Sequence, residues 1–378
     1  MTAQIPLSAP DITEAEIAAV TAVLRTNRLS LGPELEEFEN ALANFHSVPH
    51  AVAVSSGTAG LHLALLTLDI GEGSEVIVPS FAFVAVANAV VQVHATPVFV
   101  DIDPVTLNLD PELVDRAITS RTRAILVVHT FGVPAEMDHL REIANRYQLA
   151  IIEDSCEAIG AEFSSKRVGS FGDLSILGFY PNKQITTGEG GAILARDSIH
   201  AARLRSLRNQ GRVPGSGWLD HREIGYNYRL SEMACALGRM QLSRIDEILS
   251  KRRAAAERYQ DLLSAVSAVE RPPIALPRRT ISWFVYVVRL RVESILPPEL
   301  NFRDRVQAEL SAKGIASGNY FAPIHQQPAW RHHPATITRL PHTESIARRT
   351  LALPFFNRIT AGQQHKVVET LADATRKL

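Results

Sequence analysis

Between residues 50 and 195 the chain alternates short apolar runs with stretches of helical period. The runs are AVAV (51–54), EVIV (75–78), PVFV (97–100), AILVV (124–128), AIIED (150–154), LSIL (174–177) and GAILA (191–195). They are continuous aliphatic and β-branched runs, not strict alternations, which predicts strands covered on both faces. Between them, residues 58–68 (TAGLHLALLTL), 81–91 (FAFVAVANAVV), 111–118 and 135–147 read as helices. This succession predicts an α/β fold around a largely parallel sheet. Past residue 196 the pattern changes. Residues 230–265 read as one or two long helices, 270–277 (ERPPIALP) as a linker, and 283–292 (WFVYVVRLRV) as an antiparallel strand. Residues 302–313 and 365–376 read as further helices. We expect a large domain over residues 1–250 and a smaller α+β domain over 251–378.

Composition narrows the partners. The chain has 378 residues, 46% hydrophobic and 21% charged, with 21 Gly and 21 Pro, which excludes a disordered or collagen-like protein. A net charge of −1 gives no electrostatic pull toward nucleic acid or an anionic membrane. The Arg-rich stretch 203–212 (RLRSLRNQGR) therefore reads as a solvated helix end near the site. Cys156 and Cys235 make neither a disulfide framework nor a C-x-x-C pair, which points to a reducing cytoplasm. The N-terminus lacks a basic segment leading into an apolar one, so no leader is expected. The most apolar stretch, residues 81–91, contains Asn88. It falls well short of the ~20 residues needed to span a bilayer, so no membrane association is expected.

Three short segments carry candidate chemistry. Ser55-Ser56-Gly57-Thr58-Ala59 lies between a strand and a helix, where free N–H groups and the positive end of the helix dipole suit a phosphate; a plain N-cap is the alternative. Asp154 ends an apolar strand at the edge where α/β proteins bind ligands, and Glu157, one helical turn on, could face the same way. Lys183 sits in NKQITTGEGG (182–191) between two strands, where a partly desolvated amine becomes a nucleophile; a snorkelling surface lysine is the alternative. A phosphate cradle, a carboxylate for a pyridinium nitrogen and a Schiff-base lysine together describe pyridoxal 5'-phosphate. His62, on an apolar helix, reads as a packed core histidine. His129 and His139 lack metal-ligand spacing, and no metal is expected.

Longer stretches carry a family resemblance: SSGTAGLHLAL, EVIVPSFAFVAVANAV, TPVFVDIDP, IIEDSCEAIGAEF, GFYPNKQITTGEGGAIL and EIGYNYRLSEMACALGRMQL. From about residue 5 to 356 the chain resembles the DegT/DnrJ/EryC1/StrS family of sugar aminotransferases. The resemblance implies a type I aminotransferase fold with a mostly parallel seven-stranded sheet, and an N-terminal arm (about 1–25) that packs on the small domain. It implies transamination of a nucleotide-linked keto sugar, with L-glutamate as amino donor, in polysaccharide or antibiotic-sugar biosynthesis. Rival readings are another pyridoxal phosphate reaction, such as dehydration or lyase chemistry, and a regulatory homologue; Lys183 and Asp154 oppose the latter. The resemblance further implies that Lys183 joins the cofactor and shuttles the proton, and that Asp154 pairs with the pyridine nitrogen. Gly57 and Thr58 would bind the phosphate and Phe83 stack on the ring. Asn227 and Arg229 would reach the partner subunit's site in a homodimer, and Tyr320 and His325 would contact substrate.

The chain departs from the family pattern at two positions. Glu157 stands where many members have Gln or His, as in the perosamine synthase branch. A carboxylate beside the cofactor's phenolic oxygen should be protonated, turned away or offset by a cation. Gly178 stands where many members have Ser, so one phosphate contact should be missing or supplied by Ser175 or another group. The related C-3 dehydratases carry His in place of the lysine, and Lys183 argues against that chemistry.

Overall fold

The computed structural model describes residues 4–213, 219–291, 302–331, 333, 335 and 339–377. All seven apolar runs form strands: β1 (His50–Val54), β2 (Glu75–Pro79), β3 (Thr96–Val100), β4 (Thr122–Val128), β5 (Ala150–Asp154), β6 (Leu174–Gly178) and β7 (Gly191–Ala195). They make one sheet in the order β1-β7-β6-β5-β4-β2-β3. Only β7 runs antiparallel to its neighbours β1 and β6. The other pairs are parallel, with Val128, Asp154 and Ile176 in register at the carboxyl edge.

Successive residues of each strand feed opposite layers, which is why the runs are apolar throughout. Val76, Val78, Leu126 and Ile152 pack with Leu61, Leu65, Val86 and Leu204 of the helices Gly57–Thr67, Ala85–Gln92 and Ser198–Arg208. Ile77, Ile125, Val127 and Ile151 face Met137, Leu140 and Ile143 of Met137–Tyr147. Ala51, Ala53, Leu177 and Leu194 face Phe38 and Leu42 of Pro33–His46.

Beyond the sheet, the helices Glu232–Ser243 and Ile245–Leu262 lead to a three-stranded antiparallel sheet of Val269–Glu270, Tyr286–Leu290 and Thr350–Leu353. Its core joins Tyr259, Trp283, Val288, Val306, Leu351 and Leu371. The N-terminal arm divides. Ile5 bridges to Ile315 and joins that second core, whereas Glu16 of the helix Glu14–Leu24 accepts a hydrogen bond from Gln241.

Several expectations need correction. Residues 81–84 are loop, and the helix begins at Ala85. Phe81 is fully buried edge-on against Phe131 and Phe321, and that packing holds the loop. The strand expected over 283–292 starts only at Tyr286, because Trp283 takes a left-handed φ of 53°, which no strand accommodates; residue 292 lies outside the described residues. Residues 155–160 are turns, so Glu157 is not one helical turn beyond Asp154. The stretch 203–212 is not simply solvated: Arg208 is buried and pairs with Glu39 and the Ala53 carbonyl. Among the described residues no helix is long and apolar enough to cross a membrane.

Candidate active site

The turn after β1 makes one wall. Ser56 caps the helix Gly57–Thr67, its Oγ accepting from the Ala59 N–H at 3.0 Å. The N–H groups that open the helix stay available for an anion. Thr58 is exposed at that first turn. Glycine at 57 leaves room for a neighbour: a Cβ there would lie 2.9 Å from Cys156 Sγ and force the sulfur to shift.

β5 supplies two carboxylates, which point to opposite faces because side chains alternate along a strand. Glu153 is fully buried. It accepts from the N–H groups of Gly169, Phe171 and Gly172 and from His129 Nε2 at 3.0 Å. His129 Nδ1 accepts from the Ala135 N–H, so Nε2 carries the proton. Burial would raise the Glu153 carboxyl, but His129 and these N–H groups hold it below the usual range. This pair is structural. Asp154 lies at the carboxyl edge, 9% exposed, and one of its oxygens accepts from the Cys156 N–H at 3.0 Å.

Lys183 Nζ lies 3.5 Å from Glu157 Oε1 and 3.9 Å from the Phe284 ring centroid, a cation–π contact. Glu157 Oε2 accepts from the Phe131 N–H at 3.0 Å, and Gln184 Nε2 donates to the Glu157 carbonyl at 2.7 Å. Burial pushes the Glu157 carboxyl up, against the pull of Lys183 and the Phe131 N–H. Of the outcomes expected for this glutamate, the structure shows the offset by a cation, Lys183, and adds a backbone donor that anchors the other oxygen. Asp154 accepts from the N–H of Cys156, the residue before Glu157, and Glu157 meets Lys183, so the three lie within one small region.

The remaining candidates divide. The Phe83 ring is 63% exposed, free to cover a flat ligand. Tyr320 stacks on Phe284, 6.3 Å between centroids, and feels Glu157, so it borders the lysine region; burial pushes its phenol up. His325 is 7% exposed and held elsewhere, Nδ1 2.6 Å from Ser80 Oγ and Nε2 3.4 Å from Glu344 Oε1. Burial lowers its imidazole pKa, and none of its bonds reaches Lys183 or Asp154. Asn227 is exposed, and Arg229 donates to Asn209 Oδ1 at 3.0 Å. Their segment runs beside the turn after β1 of its own chain, where the Ser55 N–H donates to the Tyr228 carbonyl at 2.9 Å. His62 packs in the core against Tyr226 and Tyr228, as expected. Ser175 cannot supply a missing phosphate contact: it is buried and bonded to Ser155 Oγ at 3.1 Å. Sequence reasoning missed Phe284, Phe131 and the Cys156 side chain; each enters by a contact between distant segments and leaves no local signal.

An anion-ready helix N-terminus with a glycine cradle, an acid at a strand edge, an amine and an uncovered aromatic ring are the donor set pyridoxal phosphate requires. Seven strands in this order, with the lysine between β6 and β7, define a type I aminotransferase fold. The profile of the DegT/DnrJ/EryC1/StrS aminotransferase family matches residues 10–372, and the chain belongs to that family. It is 41% identical to GDP-perosamine synthase of Caulobacter vibrioides over 332 residues, 87% of each chain. Among solved structures it resembles S. venezuelae DesV, at 36% identity and TM-score 0.90 over 100% of both chains. It also resembles Spr1654 of Streptococcus pneumoniae, assigned as a sugar aminotransferase and solved in its PLP-form. That match has 27% identity and TM-score 0.93, over 99% of both chains.

Proposed function

We propose that the protein transfers an amino group to a nucleotide-linked keto sugar, with pyridoxal phosphate as cofactor and L-glutamate as donor. The likeness to a GDP-perosamine synthase favours a GDP-linked sugar. The observation that carries the reading is Lys183 paired with Glu157 at 3.5 Å in the turn that follows Asp154 at the carboxyl edge of the sheet, where Asp154 accepts from the Cys156 N–H. When bound, the cofactor supplies a sink for the electron pair released when a carbon–hydrogen bond breaks.

In this reading Lys183 anchors the cofactor through its amine, and Nζ, once freed by the amino substrate, carries the proton to and from the reacting carbon. Asp154 holds a proton on the ring nitrogen. The N–H groups at Gly57 and Thr58 bind the phosphate, and Phe83 covers the ring. Glu157, anchored by Phe131, orients Lys183. Tyr320 borders the substrate space; His325 would reach substrate only by leaving Ser80. Asn227, Arg229 and the exposed Ile224 beside them suit a homodimer with shared sites. We further read residues 1–250 and 251–378 as two domains, a division supported by the separate cores around the two sheets. The setting would be cytoplasmic polysaccharide biosynthesis, which the low cysteine content supports.

Turnover of GDP-, dTDP- and UDP-linked keto sugars with L-glutamate, read as 2-oxoglutarate formed, tests this. Turnover is expected with the GDP-linked keto sugar. No turnover with any of the three classes would overturn the reading.

A further inference from the structure

The phosphate end of the site is built around one sulfur atom. Cys156 follows β5 by two residues, and its side chain lies between the first turn of the helix Gly57–Thr67 and the end of β6. A Cβ at Gly57 would lie 2.9 Å from Cys156 Sγ. One at Gly178 would lie 3.0 Å from Sγ and 3.1 Å from Cys156 Cβ. The first is closer than real Cβ atoms come and the other two are tighter than most such contacts; the sulfur could relieve its share only by turning away, and Cys156 Cβ, fixed to the backbone, cannot turn. Two features hold the sulfur there. The thiol donates to the Ile176 carbonyl at 3.8 Å, and the Cys156 N–H donates to Asp154 Oδ1 at 3.0 Å. Burial pushes the thiol well above its ordinary range, so it stays protonated and acts by shape, not charge.

We infer that Cys156 is a positioning residue for the cofactor phosphate: its sulfur sets the spacing between the helix N-terminus and the end of β6, and it is what requires glycine at 57 and 178. This rests on the reading that the phosphate lies at Gly57 and Thr58. The three side chains then form one steric unit. A side chain at 178 and the cysteine at 156 exclude each other, and shrinking residue 156 makes room for a hydroxymethyl group at 178. The Gly178 departure from the family pattern therefore has its cause on a different strand end.

The affinity of the cofactor-free protein for pyridoxal phosphate, divided by that for unphosphorylated pyridoxal, tests this. Contributions from Lys183 and Asp154 are common to both ligands, so the ratio isolates the phosphate. Cys156→Ala should lower the ratio about tenfold, a shift of ~1.4 kcal/mol in phosphate binding alone. Gly178→Ser should lower it further, and Cys156→Ala/Gly178→Ser should recover it to within a few-fold of wild type. Equal weakening of both ligands by Cys156→Ala, an unchanged ratio, or additive losses in the double variant would each overturn the inference. Thr58→Pro, which removes one of the two phosphate-binding N–H groups in a first helical turn that tolerates proline, separates the two levels. If it also leaves the ratio unchanged, the phosphate placement has failed; if it lowers the ratio and Cys156→Ala does not, only the role of the sulfur has failed.

Discussion

At the scale of single residues, the proposed reaction divides its work between Lys183 and Asp154. Lys183 is the amine of the cluster, backed by the Phe284 ring and paired with Glu157. Lys183→Ala should abolish transamination while the circular dichroism stays that of wild type. Borohydride should fix the cofactor to Lys183 alone, and mass spectrometry that finds the adduct on another lysine removes the assignment. Asp154 is nearly buried at the strand edge, where a charge-assisted bond to a pyridinium is roughly twice as strong as a neutral one. Asp154→Asn should retain the cofactor yet lose activity by orders of magnitude. Near-normal turnover would end that role.

At the scale of elements, two helix ends set how the fold answers acid. Glu16 completes the capping box of Glu14–Leu24 and also accepts from Gln241 and Arg244, linking that helix to Glu232–Ser243. Burial would raise its carboxyl, but Thr13, Arg244 and Gln241 outweigh it and bring it to about 2. A depressed carboxylate contributes stability above its unfolded value of 4.5 and loses it as the pH falls toward about 2. His46 ends Pro33–His46, fully enclosed, with Nδ1 3.0 Å from the Val168 carbonyl; burial lowers it to about 4. A histidine buried neutral likewise loses its contribution on acidification, here between 6.5 and about 4. Denaturant titrations should therefore show stability falling by on the order of 3 kcal/mol between pH 7 and 4 from His46 alone. In His46→Gln that loss should largely vanish, leaving the later drop that belongs to Glu16. An unchanged slope in the variant would show that His46 does not titrate with folding.

At the scale of the whole molecule, the exposed Asn227 marks where one chain is expected to meet another. A phosphate dianion is only partly neutralised by a single helix N-terminus, and a cation from a second chain would complete it. Mixing Lys183→Ala subunits with Asn227→Ala/Arg229→Ala subunits tests this. With shared sites, a mixed dimer carries both lesions in one site and none in the other, so activity should return, to at most half of wild type. Mixed dimers that form and remain inactive would mean that each chain builds its own site.

The sequence by itself determined the sheet and singled out the groups proposed to react. Seven short, mainly apolar runs leave little choice but strands covered on both faces, and Lys183 and Asp154 stand in segments whose local order, strand end and glycine turn, already implies their place. Tertiary structure decided what depends on contact between distant segments. It paired Glu153 with His129, drew His325 onto Ser80, and buried Arg208 against Glu39. It also set Phe284 over Lys183 and put the Cys156 sulfur between Gly57 and Gly178. Periodicity reports which way a side chain faces within its own element. It holds no information about which atom of a remote element that side chain meets, and that meeting decides spacing, charge and reach in the site.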